Sequence, residues 1–376
     1  MVEIRQVKSK SDVKKYVAFP DKLYKGVANY VPELKSEECS MLSPETNSSF
    51  EYCDARFFMA YRSGEIVGRI GAIVNRTANE RWHQKQIRIT RVDFIDDLEV
   101  SGALLGAVEG WAKELGLTQA HGPLGFTDLD KEGMLVEGFD RMGSTVTIYN
   151  YPYYPKHFEA HGYIKDIDWV EYRIRVPEKG DKTVERMSRL AEKVMERTHV
   201  HFHNLKRMKE VRPIVMQVFD LLSECYKNLY GVVPFTENVA KDYTKRFVPL
   251  LDPDFAKFIV DDNGKLIAFG LAAPSLASAI KKCNGHMFPL GWAYLLHALK
   301  YPKELELYLV AVHPDYQKSG LPALMMNDIT ASAIKRGIKF AESSPELETN
   351  KHVQDLWKSF NVEQHKRRRC YKKDLE

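Results

Sequence analysis

LYLVAVHPDYQKSGLPA, residues Leu307 to Ala323, constrains this chain more strongly than any other part of it. A short apolar run ends at His313-Pro314. A polar turn follows (Asp315, Tyr316, Gln317, Lys318, Ser319, Gly320), and a helix opens at Leu321-Pro322. This order is a strand feeding a glycine-containing loop that enters a helix N-terminus. Such a loop turns backbone N–H groups and the positive helix end toward an anion, usually a phosphate. Lys318 adds a mobile cation, and Gly320 removes the side chain where the backbone must come close. One glycine with one lysine also suits an ordinary strand–turn–helix junction, so the surrounding elements carry the decision.

The run resembles the acetyl-CoA loop of the GNAT N-acetyltransferases, in which Gln/Arg-x-x-Gly-x-Gly/Ala follows a strand and a Val-x-Pro-x-Tyr lead-in. Val312, Pro314, Tyr316, Gln317 and Gly320 fall on that pattern, while Pro322 stands where Gly or Ala is usual. Proline has no N–H, so one contact of the family cradle is lost, although proline suits a first helical turn. The resemblance implies acetyl-CoA or another acyl-CoA as co-substrate, and no metal. It implies a pyrophosphate resting on Gln317, Lys318, Ser319, Gly320, Leu321 and Ala323. It also implies a pantetheine arm along the backbone of Leu309, Val310, Ala311 and Val312.

In the family a base, often Glu, lies on that strand or the next. Glu306 and Glu342 are the candidates, and each reads equally well as a solvated carboxylate. The family pattern Asn-x-x-Ala-x-x-x-Tyr places a phenol near the CoA sulfur. Asn350, Val353 and Trp357 fall on it, with Trp in place of Tyr. Indole N–H is a donor but not a titrating acid. Trp357 is therefore either a modified part of the site or a core anchor on its helix.

The whole chain agrees with a folded enzyme-sized protein. Its 376 residues favour two domains, and 44% apolar with 28% charged residues excludes a disordered chain. A net charge of +4 is too mild to argue for nucleic acid by itself. The charged start MVEIRQVKSK has no apolar signal core, and the apolar stretches at 266–280 and 288–299 are broken or too short to span a bilayer. Five scattered cysteines without a C-x-x-C pair suit reduced thiols in the cytoplasm.

The expected fold class is α/β (α+β): two tandem GNAT-like modules, each a mixed, mostly antiparallel sheet flanked by helices. The second module spans 183–376, after the polar linker Pro177 to Lys182. It runs through strands near 199–203, 255–260, 266–272, 304–312, 338–342 and 368–372, with an insertion at 275–301. Helices are expected at 183–197, 212–229, 321–337 and 352–360. The first module, 1–178, repeats the plan with a hairpin at 57–74, a strand at 87–94 and a helical stripe from Ala103 to Leu115. Its strand-to-helix junction carries Asp96, Asp97 and Glu99, which suit a helix N-terminus but are hostile to a bound anion. CoA is therefore expected in the second module alone.

Four further clusters keep two readings each. His199, His201 and His203 alternate on one strand face, which suits a metal or, more simply, an exposed polar face. The basic run His365 to Lys373 suggests RNA, a contact with CoA phosphates, or a solvated strand edge. The loop Gly122 to Asp130, with Glu132, could select a cationic amine or be plain surface. The apolar insertion Met287 to Leu296 could cover the cleft for a longer acyl chain or pack against the first module. The resulting expectation is an acyl-CoA-dependent N-acyltransferase acting on a small-molecule amine, with no membrane partner and no nucleic acid; a homodimer stays open. The rival is a non-catalytic CoA- or small-ligand-binding protein that has kept the fold.

Overall fold

Runs of β-branched and aromatic residues bounded by Gly, Asn and Asp become strands throughout, and the period-3.6 stripes become helices. The structure, a computed structural model, describes all 376 residues. The strands are β1 (Glu3–Gln6), β2 (Cys53–Arg62), β3 (Glu65–Asn75), β4 (Gln86–Phe94), β5 (Gln119–Gly122), β6 (Met134–Glu137) and β7 (Ile164–Arg175). They continue with β8 (Val200–Phe202), β9 (Ala256–Asp261), β10 (Leu266–Pro274), β11 (Glu304–Val312), β12 (Phe340–Ser343), β13 (Glu346–Leu347) and β14 (Asn361–Asp374).

Two compact units form, and neither is one contiguous stretch. The first comprises Met1–Val170, Ala277–Tyr294 and Lys366–Glu376, and the second Glu171–Leu276 and Leu295–His365. The chain thus leaves the first unit inside β7, rejoins it over Ala277–Tyr294 and returns to it inside β14. A linear division at 178–183 misses this, because a strand that continues straight through a boundary leaves no Gly/Pro mark there.

In the first unit β1, β2, β3 and β4 follow one another antiparallel, and β4 pairs parallel with β5. The parallel step needs a crossover, which the Leu98–Glu114 helix supplies. That helix buries Val100, Leu104, Leu105, Val108, Trp111 and Ala112 against Ile70, Ile87, Ile89 and Phe94 of the sheet. Helix and sheet approach so closely that a Cβ on Gly68 would lie 2.7 Å from Leu104 Cδ1. Truncating Leu104 to Ala should cost ~2–5 kcal/mol, because this site cannot collapse around the void.

The second unit repeats the arrangement. β8, β9, β10 and β11 run antiparallel in sequence, and β11 pairs parallel with β12 after the Leu321–Lys335 helix. One core cluster gathers Val194, Ile259, Leu321, Leu324 and Met325, and a second, farther along the same Leu321–Lys335 helix, gathers Phe255, Ile329, Ala333, Ile338 and Trp357.

Three expectations are corrected. The basic run is no solvated edge: Lys366 and Arg368 are buried, and β14 pairs with β5 and β6 in the first unit. Arg367 and Arg369 both bind the buried Asp168; burial works to raise its carboxyl, but the hydrogen bonds and charges of Arg369 and Lys165 hold it below the usual range. These guanidiniums serve the sheet and are not offered to RNA. The expected helix at 352–360 is a short helix, Lys351–Gln354, followed by a 3-10 turn, Asp355–Ser359. The helix expected from Arg212 begins only at Val215, after a 3-10 segment containing Pro213.

Candidate active site

The site in the second unit begins where two strands part. β11 pairs with β10 along its whole length, from Leu305↔Pro274 to Val312↔Ala268. Its pairing with β12 covers only Glu304 to Leu307, and the last bond runs from Ser344 N to the Leu307 carbonyl at 2.9 Å. Beyond it, Tyr308 to Val312 has a neighbouring strand on one side alone. The parting coincides with a bulge: Leu309 faces Leu271 while Leu307 faces Ala272, so Tyr308 is the extra residue. A bulge bends and twists its strand and re-aims the inserted side chain.

The freed backbone is the stretch expected to hold pantetheine. Val310 and Val312 present their carbonyls to the open side, where Tyr226 Oη donates to Val310 at 3.0 Å and Cys225 Sγ to Val312 at 3.1 Å. A bound arm would take over these acceptors. Leu309 and Val310 remain half-buried and Ala311 is buried, as a strand between a sheet neighbour and a cleft should be.

The loop closes the mouth of this opening. Pro314–Tyr316 forms one 3-10 turn, Ser319 N–H and Oγ both return to the Tyr316 carbonyl (3.0 and 2.5 Å), and Gly320 sits at φ +89°. Gly320 is required twice over. L side chains avoid that φ, and a Cβ would lie 2.7 Å from Val194 Cγ2 on the Lys182–Arg197 helix. The left-handed turn leaves the N–H groups of Lys318, Gly320 and Leu321 outside the backbone hydrogen-bond network at the start of the 15-residue Leu321–Lys335 helix. Lys318 and Gln317 are exposed, and Ala323 N–H is already bonded to the Gly320 carbonyl (3.0 Å). The donor set fits a diphosphate with Lys318, Gly320 and Leu321 as its backbone donors; Ala323 is the expected contact with least left to give.

Acidic chemistry gathers at the point where β11 and β12 separate. Glu306 is 4% exposed, so it is not a solvated carboxylate; Ser275 Oγ donates to its Oε1 at 2.7 Å and Tyr308 Oη to its Oε2 at 3.3 Å. Glu342 is its register partner on β12 and lies 3.9 Å from His365 Nδ1. Glu346, three residues past β12, went unnoticed in the sequence. It is 9% exposed, its Oε2 has no partner, and burial pushes its carboxyl up to about 7 against the opposing hydrogen bonds from Trp357 and Ser343. Trp357 Nε1 donates to Glu346 Oε1 at 2.8 Å, and the ring is packed in the core. Its single N–H is therefore spent on Glu346 rather than offered to a thiolate. Asn350 caps the short helix that follows, through its backbone, with no side-chain bond to the helix.

The equivalent opening in the first unit is filled by the protein itself. β4 pairs with β5 only over Gln86 to Arg88. Beyond that, Leu124 N–H takes the Ile89 carbonyl (2.8 Å), while Tyr154 Oη and Tyr153 Oη take the N–H and carbonyl of Phe94 (2.9 and 2.6 Å). At the helix start, Asp97 accepts from Glu99 and Val100 N–H (2.9 and 3.2 Å), and Arg62 bridges Asp97 and Glu99. The donors a diphosphate would need are used up. Titration calorimetry should accordingly give one CoA per chain; two equivalent sites would contradict this account.

The Gly122 to Asp130 loop is partly self-satisfied, with Asp130 accepting from Phe126 N–H at 2.8 Å. Asp128 keeps an enclosed, unpartnered Oδ1 and is pushed up to about 7 by burial; Glu132 is also raised by burial and by the Asp128 charge. His201 lies on β8 with Asp262 4.0 Å from its Nδ1, and the exposed His199 stands just before that strand. His121, Asp166 and Cys370 come within 4.8 Å of one another, but Lys372 already holds Asp166 at 2.9 Å.

Comparison with known proteins agrees with this geometry. The acetyltransferase (GNAT) family matches residues 215–361. Protein YghO of Escherichia coli (strain K12) is 30% identical over 99% of this chain and 95% of its own length. The chain belongs to the GNAT family. A protein of Caulobacter vibrioides named bacterial ceramide synthase is 27% identical over 98% of this chain and 96% of its own. A tandem GNAT protein from the clavulanic acid biosynthesis pathway superposes with a TM-score of 0.60 at 10% identity, covering 100% of this chain and 99% of its own. A GNAT-type N-acetyltransferase of Sphaerobacter thermophilus superposes at 0.53 and 11% identity, covering 100% and 96%. The tandem GNAT fold expected from the sequence is thus the fold present. No helix is long and apolar enough to cross a membrane.

Proposed function

We propose that this GNAT protein is an acyl-CoA-dependent N-acyltransferase whose CoA site lies in the second unit. The observation that carries the reading is the parting of β11 from β12 at Leu307, with the Gly320 loop at one end and the buried Glu306 at the other. The amine nitrogen attacks the thioester carbonyl, a C–N bond forms and the C–S bond breaks. The proton leaving the ammonium passes to Glu306, and Tyr308, hydrogen-bonded to that carboxylate, supplies one to the departing thiolate. Phenol and thiol have similar intrinsic acidities, so this exchange is close to balanced. Tyr308 thereby fills the role left open by the replacement of the family phenol with Trp357.

For the acceptor, the name of the Caulobacter relative supports a long-chain amino alcohol. The test is release of CoA thiol, dependent on added amine, across acyl-CoAs of increasing length and a panel of amines that includes long-chain amino alcohols. CoA should also raise the melting temperature. Gly320→Asp, which puts a side chain and a charge into the cradle, should abolish that shift, and Lys318→Glu, on the surface, should reduce it without affecting the fold. Stabilisation by CoA with no product from any amine would favour the non-catalytic binding protein instead.

A further inference from the structure

Six of the thirteen exposed large hydrophobic residues fall within fourteen positions of the chain, 288–301. Phe288 is 83% exposed, Leu290 57%, Trp292 46%, Leu296 58% and Tyr301 56%. They lie on the turn before the Gly291–Lys300 helix, on the helix, and just after it. The segment is held firmly at its base: Lys35 N–H donates to the Gly285 carbonyl at 3.0 Å and Lys281 Nζ to the Ala28 carbonyl. Neither glycine here tolerates a side chain, since a Cβ on Gly285 would lie 1.9 Å from Glu33 O and one on Gly291 2.0 Å from His286 O. A fixed base with outward apolar side chains is a presented surface rather than a frayed loop.

Charge says what the surface faces. From Leu276 to Lys303 there is no Asp or Glu, although 51 of the 376 residues are acidic, and the charged residues present are Lys281, Lys282, Lys300 and Lys303. Lys282, Lys300 and Lys303 are exposed beside the apolar side chains. A stretch of apolar and aromatic side chains whose own charged residues are all lysines matches the boundary between acyl chains and anionic headgroups. We propose that residues 286–303 dock this protein on the surface of an anionic lipid bilayer, with Phe288, Leu290, Trp292 and Leu296 entering the interface. The contact is peripheral: no helix is long and apolar enough to cross a membrane. It does not rest on the transfer reaction proposed above.

Vesicle flotation tests it, with phosphatidylcholine vesicles against mixtures containing phosphatidylglycerol. The protein should float with the mixed vesicles and bind pure phosphatidylcholine at least ~10-fold more weakly. Phe288→Ser with Leu296→Ser should abolish flotation, and Lys282→Glu with Lys300→Glu should remove the preference for anionic lipid, both with unchanged circular dichroism and melting temperature. Because these side chains are exposed, the fold does not depend on them. No flotation of the wild-type chain, or equal flotation of the serine variant, would overturn the proposal. So would a wild-type dimer that the serine variant turns into a monomer, since a second copy would then be what covers the patch.

Discussion

Glu306→Gln should lower acyl transfer by about 10²–10⁴-fold while leaving CoA-induced thermal stabilisation intact. The substitution keeps the shape of the side chain: its amide oxygen still accepts from one of the two hydroxyls, Ser275 or Tyr308, and the other hydroxyl can turn to accept from the amide NH2. What it removes is the proton acceptor. The loss should appear in kcat, and the acidic limb of the rate–pH profile that belongs to this carboxyl should vanish. Tyr308→Phe should cost less, because water can protonate a thiolate, and should leave the acidic limb in place. If Glu306→Gln keeps wild-type turnover and pH profile, Glu306 is a structural partner of Ser275, and the base must be sought at Glu342.

The fold was readable from the chain because its signals are local. The Asp-Asp-Asn-Gly-Lys turn between β9 and β10 is such a signal. So is the regular stripe ending at Leu115, and so is the strand–loop–helix passage at Leu307 to Ala323. The loop residue Gly320 was readable for the same reason: a left-handed turn needs glycine, and that need is written at one position. What escaped depends on non-local neighbours. Glu346 looks like any loop carboxylate until Trp357, eleven residues on, is folded against it. The basic run looked solvated because Asp168, which neutralises Arg367 and Arg369, is some 200 positions away. Glu306 read as equally suited to solvent or site, and only the approach of Ser275 across the β10–β11 pair decides its burial. The acidic junction at Asp97 was interpretable in advance because capping is again a short-range matter.

The protein should lose stability between pH 5 and pH 8, and Glu346→Gln should remove the share of that loss owed to Glu346, leaving the shares of Asp128 and Glu132. In the folded chain burial pushes the Glu346 carboxyl up to about 7, against about 4.3 for an unfolded glutamate. Between those values the folded state binds more protons than the unfolded state, so stability falls as pH rises. The contribution is fully present below the unfolded value and is lost as pH passes through 7. Its size is roughly 4 kcal/mol, from 1.36 kcal/mol per pH unit over that interval. Glutamine stays neutral and can still accept the Trp357 N–H, so Glu346→Gln should match the wild type near pH 5 and be more stable near pH 8. Trp357→Phe should do the reverse. It keeps most of the ring in the core but removes the bond that holds the carboxyl down, so the loss on raising pH should start at lower stability and extend to higher pH. Trp357→Ala should cost a further ~3–5 kcal/mol at every pH through the void it leaves. Urea unfolding of the three variants at half-unit pH steps measures all of this. Superimposable pH profiles for the wild type and Glu346→Gln would mean that the carboxylate is ionised in the folded chain and that water reaches its unpartnered oxygen.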